Sequence, residues 1–235
     1  KDQRISLEIE AIRLSGPLFD PYIAILDSNR FEIATSDDTE LLLQDSTLST
    51  IIPKTGKYFL EVRESSYQGG NNYYYRLHIG DFPRPLIAFP SGGQAGKLLE
   101  VTFMGDPTGP IKKKIQLPSK ENLGFGYRVE QNGSIAPAPN AIRVCEFPSI
   151  LENEPNDTIR TANVTELTLP LAFDGIIEKE KDVDNFKFKG KKGQKFNIYA
   201  HAQSIGSPLD PVLNLYDDKG KSIKGSDDAN NGRDS

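Results

Sequence analysis

The feature that most constrains this chain is its match to itself. Gln194-Lys195-Phe196-Asn197-Ile198-Tyr199-Ala200 aligns with Gln3-Arg4-Ile5-Ser6-Leu7-Glu8-Ile9 at an offset of 191. Ser207-Pro208-Leu209-Asp210-Pro211 then faces Gly16-Pro17-Leu18-Phe19-Asp20-Pro21 with one insertion, and Asn214-Leu215-Tyr216-Asp217 faces Ala24-Ile25-Leu26-Asp27 at an offset of 190. Ser226-Asp227-Asp228 matches Ser36-Asp37-Asp38, and Asp234-Ser235 matches Asp45-Ser46. A unit of that length is too long for a solenoid repeat and reads as tandem domains. The match therefore predicts a chain that starts inside one copy and stops inside the next, with each copy holding what the other lacks.

Within both copies the local signals are those of strands. Ile5, Leu7 and Ile9 alternate with polar residues, Tyr22-Ile23-Ala24-Ile25-Leu26 is a short apolar run, and Lys57-Tyr58-Phe59-Leu60-Glu61-Val62 alternates again. Asp27-Ser28-Asn29 and Asp217-Asp218-Lys219-Gly220 carry turn chemistry between strands. Tyr73-Tyr74-Tyr75-Arg76-Leu77-His78-Ile79 reads as the last strand of the first copy, and Lys195 to Ala200 as a strand of the second. Asp81-Phe82-Pro83-Arg84-Pro85 marks a boundary, since two prolines without amide hydrogens stop a ladder. The predicted organisation is residues 1–82, the later part of a first sandwich; 83–149, a linker and a small immunoglobulin-like sandwich; and 150–235, the earlier part of a second copy. With 20 Gly and 16 Pro, the composition suits this all-β class.

Charge narrows the function. A net charge of −5 argues against nucleic acid, which needs a basic face. The cationic run Lys112 to Lys114 reads as a solvated strand edge. No apolar run approaches the ~18 residues of a membrane span. Cys145 is the sole cysteine, so no intrachain disulfide forms. Two histidines, His78 and His201, and no Gly-rich phosphate loop leave the inventory for catalysis thin, and a non-catalytic module is expected.

Three motifs stand in order in the last third: Glu152-Asn153-Glu154-Pro155-Asn156-Asp157-Thr158, then Asp182-Val183-Asp184-Asn185-Phe186, then Leu209-Asp210-Pro211. On these residues 152–235 resemble the bacterial pre-peptidase C-terminal domain, and residues 3–80 resemble its later part. Phe82-Pro83-Arg84-Pro85 and Phe89-Pro90-Ser91-Gly92-Gly93 resemble the linker into an immunoglobulin-like module of large exported bacterial proteins. The resemblance implies jelly-roll-like β-sandwiches, non-catalytic, in a secreted, periplasmic or cell-surface protein. By similarity to the collagen-binding domains of bacterial collagenases it implies a calcium site at Glu152, Glu154, Asn156, Asp157, Asp182 and Asp184.

Calcium takes six to eight hard oxygen ligands in irregular loops, and this loop offers carboxylates and amides; the alternative is a bare acidic loop held by turn hydrogen bonds. Asp37-Asp38 with Asp45, and Asp227-Asp228 with Asp234, form a second set of acidic loops that reads as turn solvation. Tyr67, Tyr73 and Tyr75 are candidates for a ligand platform, because Tyr joins flat apolar area to a polar tip. Two functions are expected from this reading: a structural or adhesive scaffold stiffened by calcium, or an accessory domain that holds a secreted hydrolase on protein fibres or polysaccharide. Partners would be neighbouring domains or chains of the same protein, or an extracellular polymer.

Overall fold

The computed structural model describes residues 2–14, 19–227 and 234; the matches at Gly16, Pro17, Leu18, Asp228 and Ser235 lie outside the described residues. The chain is all-β, with three short 3-10 turns and no α-helix among the described residues. Among the described residues no helix is long and apolar enough to cross a membrane.

Six strands form two facing three-stranded sheets. They are β1 (Arg4–Glu10), β2 (Pro21–Leu26), β3 (Glu32–Ser36), β4 (Thr47–Ile51), β5 (Phe59–Glu64) and β6 (Arg76–Gly80). One sheet runs β4-β1-β6 and the other β3-β2-β5, antiparallel throughout. Leu7, Ile9, Ile23, Ile25 and Leu48 fill the space between them, as the alternation requires. The last strand begins at Arg76 rather than Tyr73, because Tyr73 and Tyr75 lean on buried Phe19 instead of continuing the ladder.

A second core follows, built from Ala88, Val101, Phe103, Ile111, Ile115, Leu117, Val129, Ile142 and Val144. Its strands are β7 (Ile87–Phe89), β8 (Gly92–Gln94), β9 (Leu98–Met104), β10 (Ile111–Gln116), β11 (Gly126–Tyr127), β12 (Glu130–Gln131), β13 (Ser134–Ile135), β14 (Asn140–Ala141) and β15 (Arg143–Cys145). The lysine-bearing β10 is the edge of the sheet β10-β9-β7. Gly92 is required here, since a Cβ would sit 2.6 Å from the Arg143 carbonyl oxygen. Cys145 is buried in this unit, its Sγ 3.3 Å from the Phe147 carbonyl, and burial pushes the thiol up from its ordinary pKa.

The segment read as a linker carries a buried charge. Arg84 is fully buried, its guanidinium 2.8 Å from Glu8 Oε2 and donating to the carbonyls of Ala138 and Pro85 and to Asn140 Oδ1. Arg13 reaches Glu8 and Asp45, while Arg4 reaches Asp106, Gln131 and the Asp81 carbonyl. Three guanidiniums thus meet three carboxylates, and the charges cancel. Burial pushes Asp106 up, but hydrogen bonds from Thr108, the Arg84 N–H and Arg4 outweigh it and hold the carboxyl below its usual range.

The remaining strands are β16 (Ser149–Leu151), β17 (Asn163–Val164), β18 (Ala172–Asp174), β19 (Phe186–Lys187), β20 (Leu213–Tyr216) and β21 (Ser222–Ser226). β16 and β18 pair in parallel, as do β17 and β19, and β20-β21 is a hairpin. The sequence offset recurs in local structure. The 3-10 turns Ile12–Leu14 and Gln203–Ile205 correspond, and Asp27 and Asp217 make the same four turn hydrogen bonds, to Asn29, Arg30 and Phe31 and to Lys219, Gly220 and Lys221. Both hairpins shift register at the equivalent step, Ile25/Leu26 and Leu215/Tyr216.

Asp45 and Asp234 cap the corresponding 3-10 turns. Asp45 Oδ1 accepts from the N–H of Ala11 and Ile12, and Asp234 Oδ1 from those of Ala202 and Ser204. These aspartates are turn caps.

One strand expectation fails. Residues 195–200 form no strand. The apolar residues there stay open: Leu7 is 0% exposed, its counterpart Ile198 47%.

Replacing Arg84 with Met leaves Glu8 buried with only Arg13 beside it, and is expected to cost about 3 kcal/mol in denaturant unfolding, the low end for breaking a buried pair. Adding Glu8→Gln is expected to cost less than the sum of the two single changes, as a double-mutant cycle would show.

Candidate metal centre

The acidic opening and the Asp-rich step converge. β16 ends at Leu151 and pairs with β18, so the Glu152 N–H donates to the Asp174 carbonyl at 2.9 Å and the 152–157 loop lies beside the turn after β18. β17 pairs with β19, and Asn185 Nδ2 donates to the Asn156 carbonyl at 3.0 Å, which brings residues 182–185 against the same loop. Pairings between segments far apart in sequence thus assemble the site.

All six residues implied by the resemblance stand here. Carboxylate oxygens of Glu152, Glu154 and Asp184 lie within 4.8 Å of one another, as do those of Glu154, Asp157 and Asp182, so Glu154 belongs to both groups. Asn156 is fully buried, and its N–H donates to Glu154 Oε2 at 2.9 Å. Asp182 Oδ2 accepts the Glu178 N–H at 2.6 Å.

Four buried oxygens in this cluster have no hydrogen-bond partner: Glu154 Oε1, Asn156 Oδ1, Asp182 Oδ1 and Asp184 Oδ1. Buried polar atoms are nearly always satisfied, and these four come from four of the six candidate ligands. Lys179 is the cation at hand, 3.9 Å from both Asp157 and Asp182, and its side chain is mostly exposed. A lysine at that distance in solvent offsets little of the repulsion. The oxygens present, carboxylate and amide, are the hard donors that a divalent cation takes.

Electrostatics agree with the geometry. Burial and then the nearby Glu152 carboxylate push Asp184 up to about 7. Asp157 is raised by sharing a hydrogen bond with Asp182, whereas Asp182 is held below its usual range first by the Glu178 N–H and then by that same bond.

Several residues that build the site carried no signal in the sequence. Gly175 reads as half of an Asp-Gly turn, yet a Cβ there would lie 2.7 Å from both Asp184 Oδ2 and Glu152 Oε2. Asn163 braces the loop, accepting from the Asn153 N–H and donating to its carbonyl. Asp174 is buried, its carboxyl raised by burial, and accepts from the Ser91 N–H at 3.0 Å and Oγ at 2.8 Å, tying the acidic loop to the second core.

The three tyrosines do not meet on one partner. Tyr67, 78% exposed, stacks with Arg63, which also lies 3.7 Å over the Tyr22 ring, while Tyr73 and Tyr75 pack on Phe19. His78 lies 2.8 Å from Glu10 and His201 3.3 Å from Asp234.

Comparison with known proteins finds a relative for part of the chain. The chain is similar to a probable subtilase-type serine protease of Deinococcus radiodurans. The two are 41% identical over 83 residues, 35% of this chain and 11% of that protein. The chain thus spans about a tenth of the relative it matches. No protein-family profile matches the chain, and no solved structure matches it.

The raised Asp184 carboxyl sets a pH dependence. Its folded value lies above the unfolded 3.8, so its contribution to stability is full below about 4 and is lost as pH rises through about 7. In EDTA, wild-type protein is expected to lose stability relative to Asp184→Asn between pH 4 and 8, read from paired thermal melts. Gly175→Ala is expected to lower the melting temperature in calcium more than in EDTA, since the added methyl displaces two ligands.

Proposed function

We propose that this chain is a non-catalytic accessory segment of an exported, protease-type protein, and that its last third binds calcium. The observation that carries this reading is the set of four unpartnered buried oxygens on Glu154, Asn156, Asp182 and Asp184. Glu152, Glu154, Asn156, Asp157, Asp182 and Asp184 would hold the cation, with Glu154 shared if two ions bind. Irregular loops and many carboxylate oxygens favour calcium over magnesium, which demands near-ideal octahedral geometry and keeps its water. A bound cation would supply charge neutralisation, letting the two acidic segments pack as one unit.

In this reading residues 1–82 and 150–235 are parts of two pre-peptidase C-terminal-like sandwiches, and residues 83–149 an immunoglobulin-like module between them. The shared offset, turns and caps support the pairing of the outer segments. The similarity to a subtilase-type protease supports the association with a peptidase and an extracytoplasmic location.

The buried Glu8–Arg84 junction favours a second reading, a scaffold, because it ties the first core to the second through a fully buried ion pair. Retention on insoluble polymers separates the two. An accessory domain is expected to be held by collagen, cellulose or chitin, one of them selectively and more strongly in calcium than in EDTA. Absence of retention on all three would reject the accessory reading and leave the scaffold.

A further inference from the structure

The acidic cluster has one cation of its own. Lys179 Nζ lies 3.9 Å from Asp157 Oδ1 and 3.9 Å from Asp182 Oδ1. Among the described residues Glu152, Glu154 and Asp184 pair with no cation. The ammonium therefore stands at the group of Glu154, Asp157 and Asp182 and not at the group of Glu152, Glu154 and Asp184.

The turn that carries Lys179 is closed by its own backbone. The Asp182 N–H donates to the Lys179 carbonyl at 3.2 Å, and the Glu178 N–H donates to Asp182 Oδ2 at 2.6 Å. These bonds hold the lysine backbone beside a candidate ligand, while the lysine side chain stays 65% exposed. A separation of 3.9 Å is too long for a hydrogen bond. Asp182 Oδ1 is thus buried and without a hydrogen-bond partner even with an ammonium nearby, and its side chain is 1% exposed. The lysine offsets part of the charge without occupying the oxygen that a cation would take.

A divalent ion held by Asp182 would share that carboxylate with the ammonium, well inside the Debye length of about 8 Å at physiological salt. Like charges on one carboxylate repel, so the lysine has to turn outward into solvent. Its exposure makes that movement easy, and exposed pairs of this kind are worth little. The effect on affinity is therefore modest in size but definite in sign. We propose, on the basis of the calcium reading of this cluster, that Lys179 is a tethered counter-cation: it partly neutralises Asp157 and Asp182 in the calcium-free chain and weakens calcium binding by competing for them.

The test is calorimetric titration of the EDTA-stripped whole chain with calcium, for wild type, Lys179→Met, Lys179→Arg and Lys181→Met. At low salt Lys179→Met is expected to bind about threefold more tightly than wild type, the size of an exposed pair, and the gain is expected to vanish at high salt. Lys179→Arg keeps the charge and is expected to bind as wild type does. Lys181→Met removes an equal charge from the same turn, but Lys181 pairs with no carboxylate among the described residues, so its gain is expected to be smaller. Thermal melts give a readout that a purely structural lysine would not: Lys179→Met is expected to melt below wild type in EDTA and at or above it in calcium. Calcium binding by wild type with Lys179→Met equal or weaker, a gain matched by Lys179→Arg or Lys181→Met, a gain that survives high salt, or a lower melting temperature in both conditions would each overturn the proposal and leave the calcium reading standing. No binding heat from any of the four proteins would remove the calcium reading and the proposal together.

Discussion

The interaction on which the rest of the architecture depends is the buried pair of Glu8 and Arg84. Glu8 lies mid-way along β1, the central strand of its sheet, with its neighbours Leu7 and Ile9 in the first core. Arg84 lies between two prolines and binds the Ala138 and Pro85 carbonyls of the next unit. Taking such charges from water costs several kcal/mol each, and the pair offsets this through carbonyls, Asn140 and the flanking pairs to Asp45 and Asp106, while Arg84 Nε has no hydrogen-bond partner. A junction of this kind gains little over an apolar one in stability. What it gains is a single register between the two cores, since any slip strands a buried charge.

The corresponding positions after the second match are chemically different. Lys195, Tyr199 and Ser204 stand where Arg4, Glu8 and Arg13 stand in the first. The charges that seat the middle unit therefore belong to the first segment alone. At the other end the middle unit meets the acidic loop through Asp174, whose carboxylate is held by Ser91. The same residue's main chain pairs with Glu152, so the position of the cluster is fixed by a sheet rather than by the loop itself.

Much of the fold was legible because its signals are local. Alternation located β1 and β5, a short apolar run located β2, and the Asp-led turns located both hairpins. Where the reading failed, the cause was distance along the chain. Arg84 reads as linker because a lone arginine between prolines gives no hint of a glutamate 76 residues earlier. Residues 195–200 alternate like β1, but alternation cannot supply the neighbouring strands that make a ladder. Asp45 and Asp234 look like loop acids because backbone capping leaves no pattern in the side chains around it.

The candidate site divides the same way. Its carboxylates were visible as Glu-x-Glu-Pro-Asn-Asp and Asp-x-Asp, whereas Gly175, Asn163 and Asn185 act through space-filling and neutral amides. The central claim is that this cluster is built around a cation, and calorimetric titration of EDTA-stripped protein with calcium tests it most directly. The account predicts measurable binding heat, and a melting temperature that rises as free calcium passes well above the dissociation constant, by about 2.7 kcal/mol of added stability at a hundredfold excess. Neither heat nor a rise in melting temperature, with the six side chains intact, would contradict it.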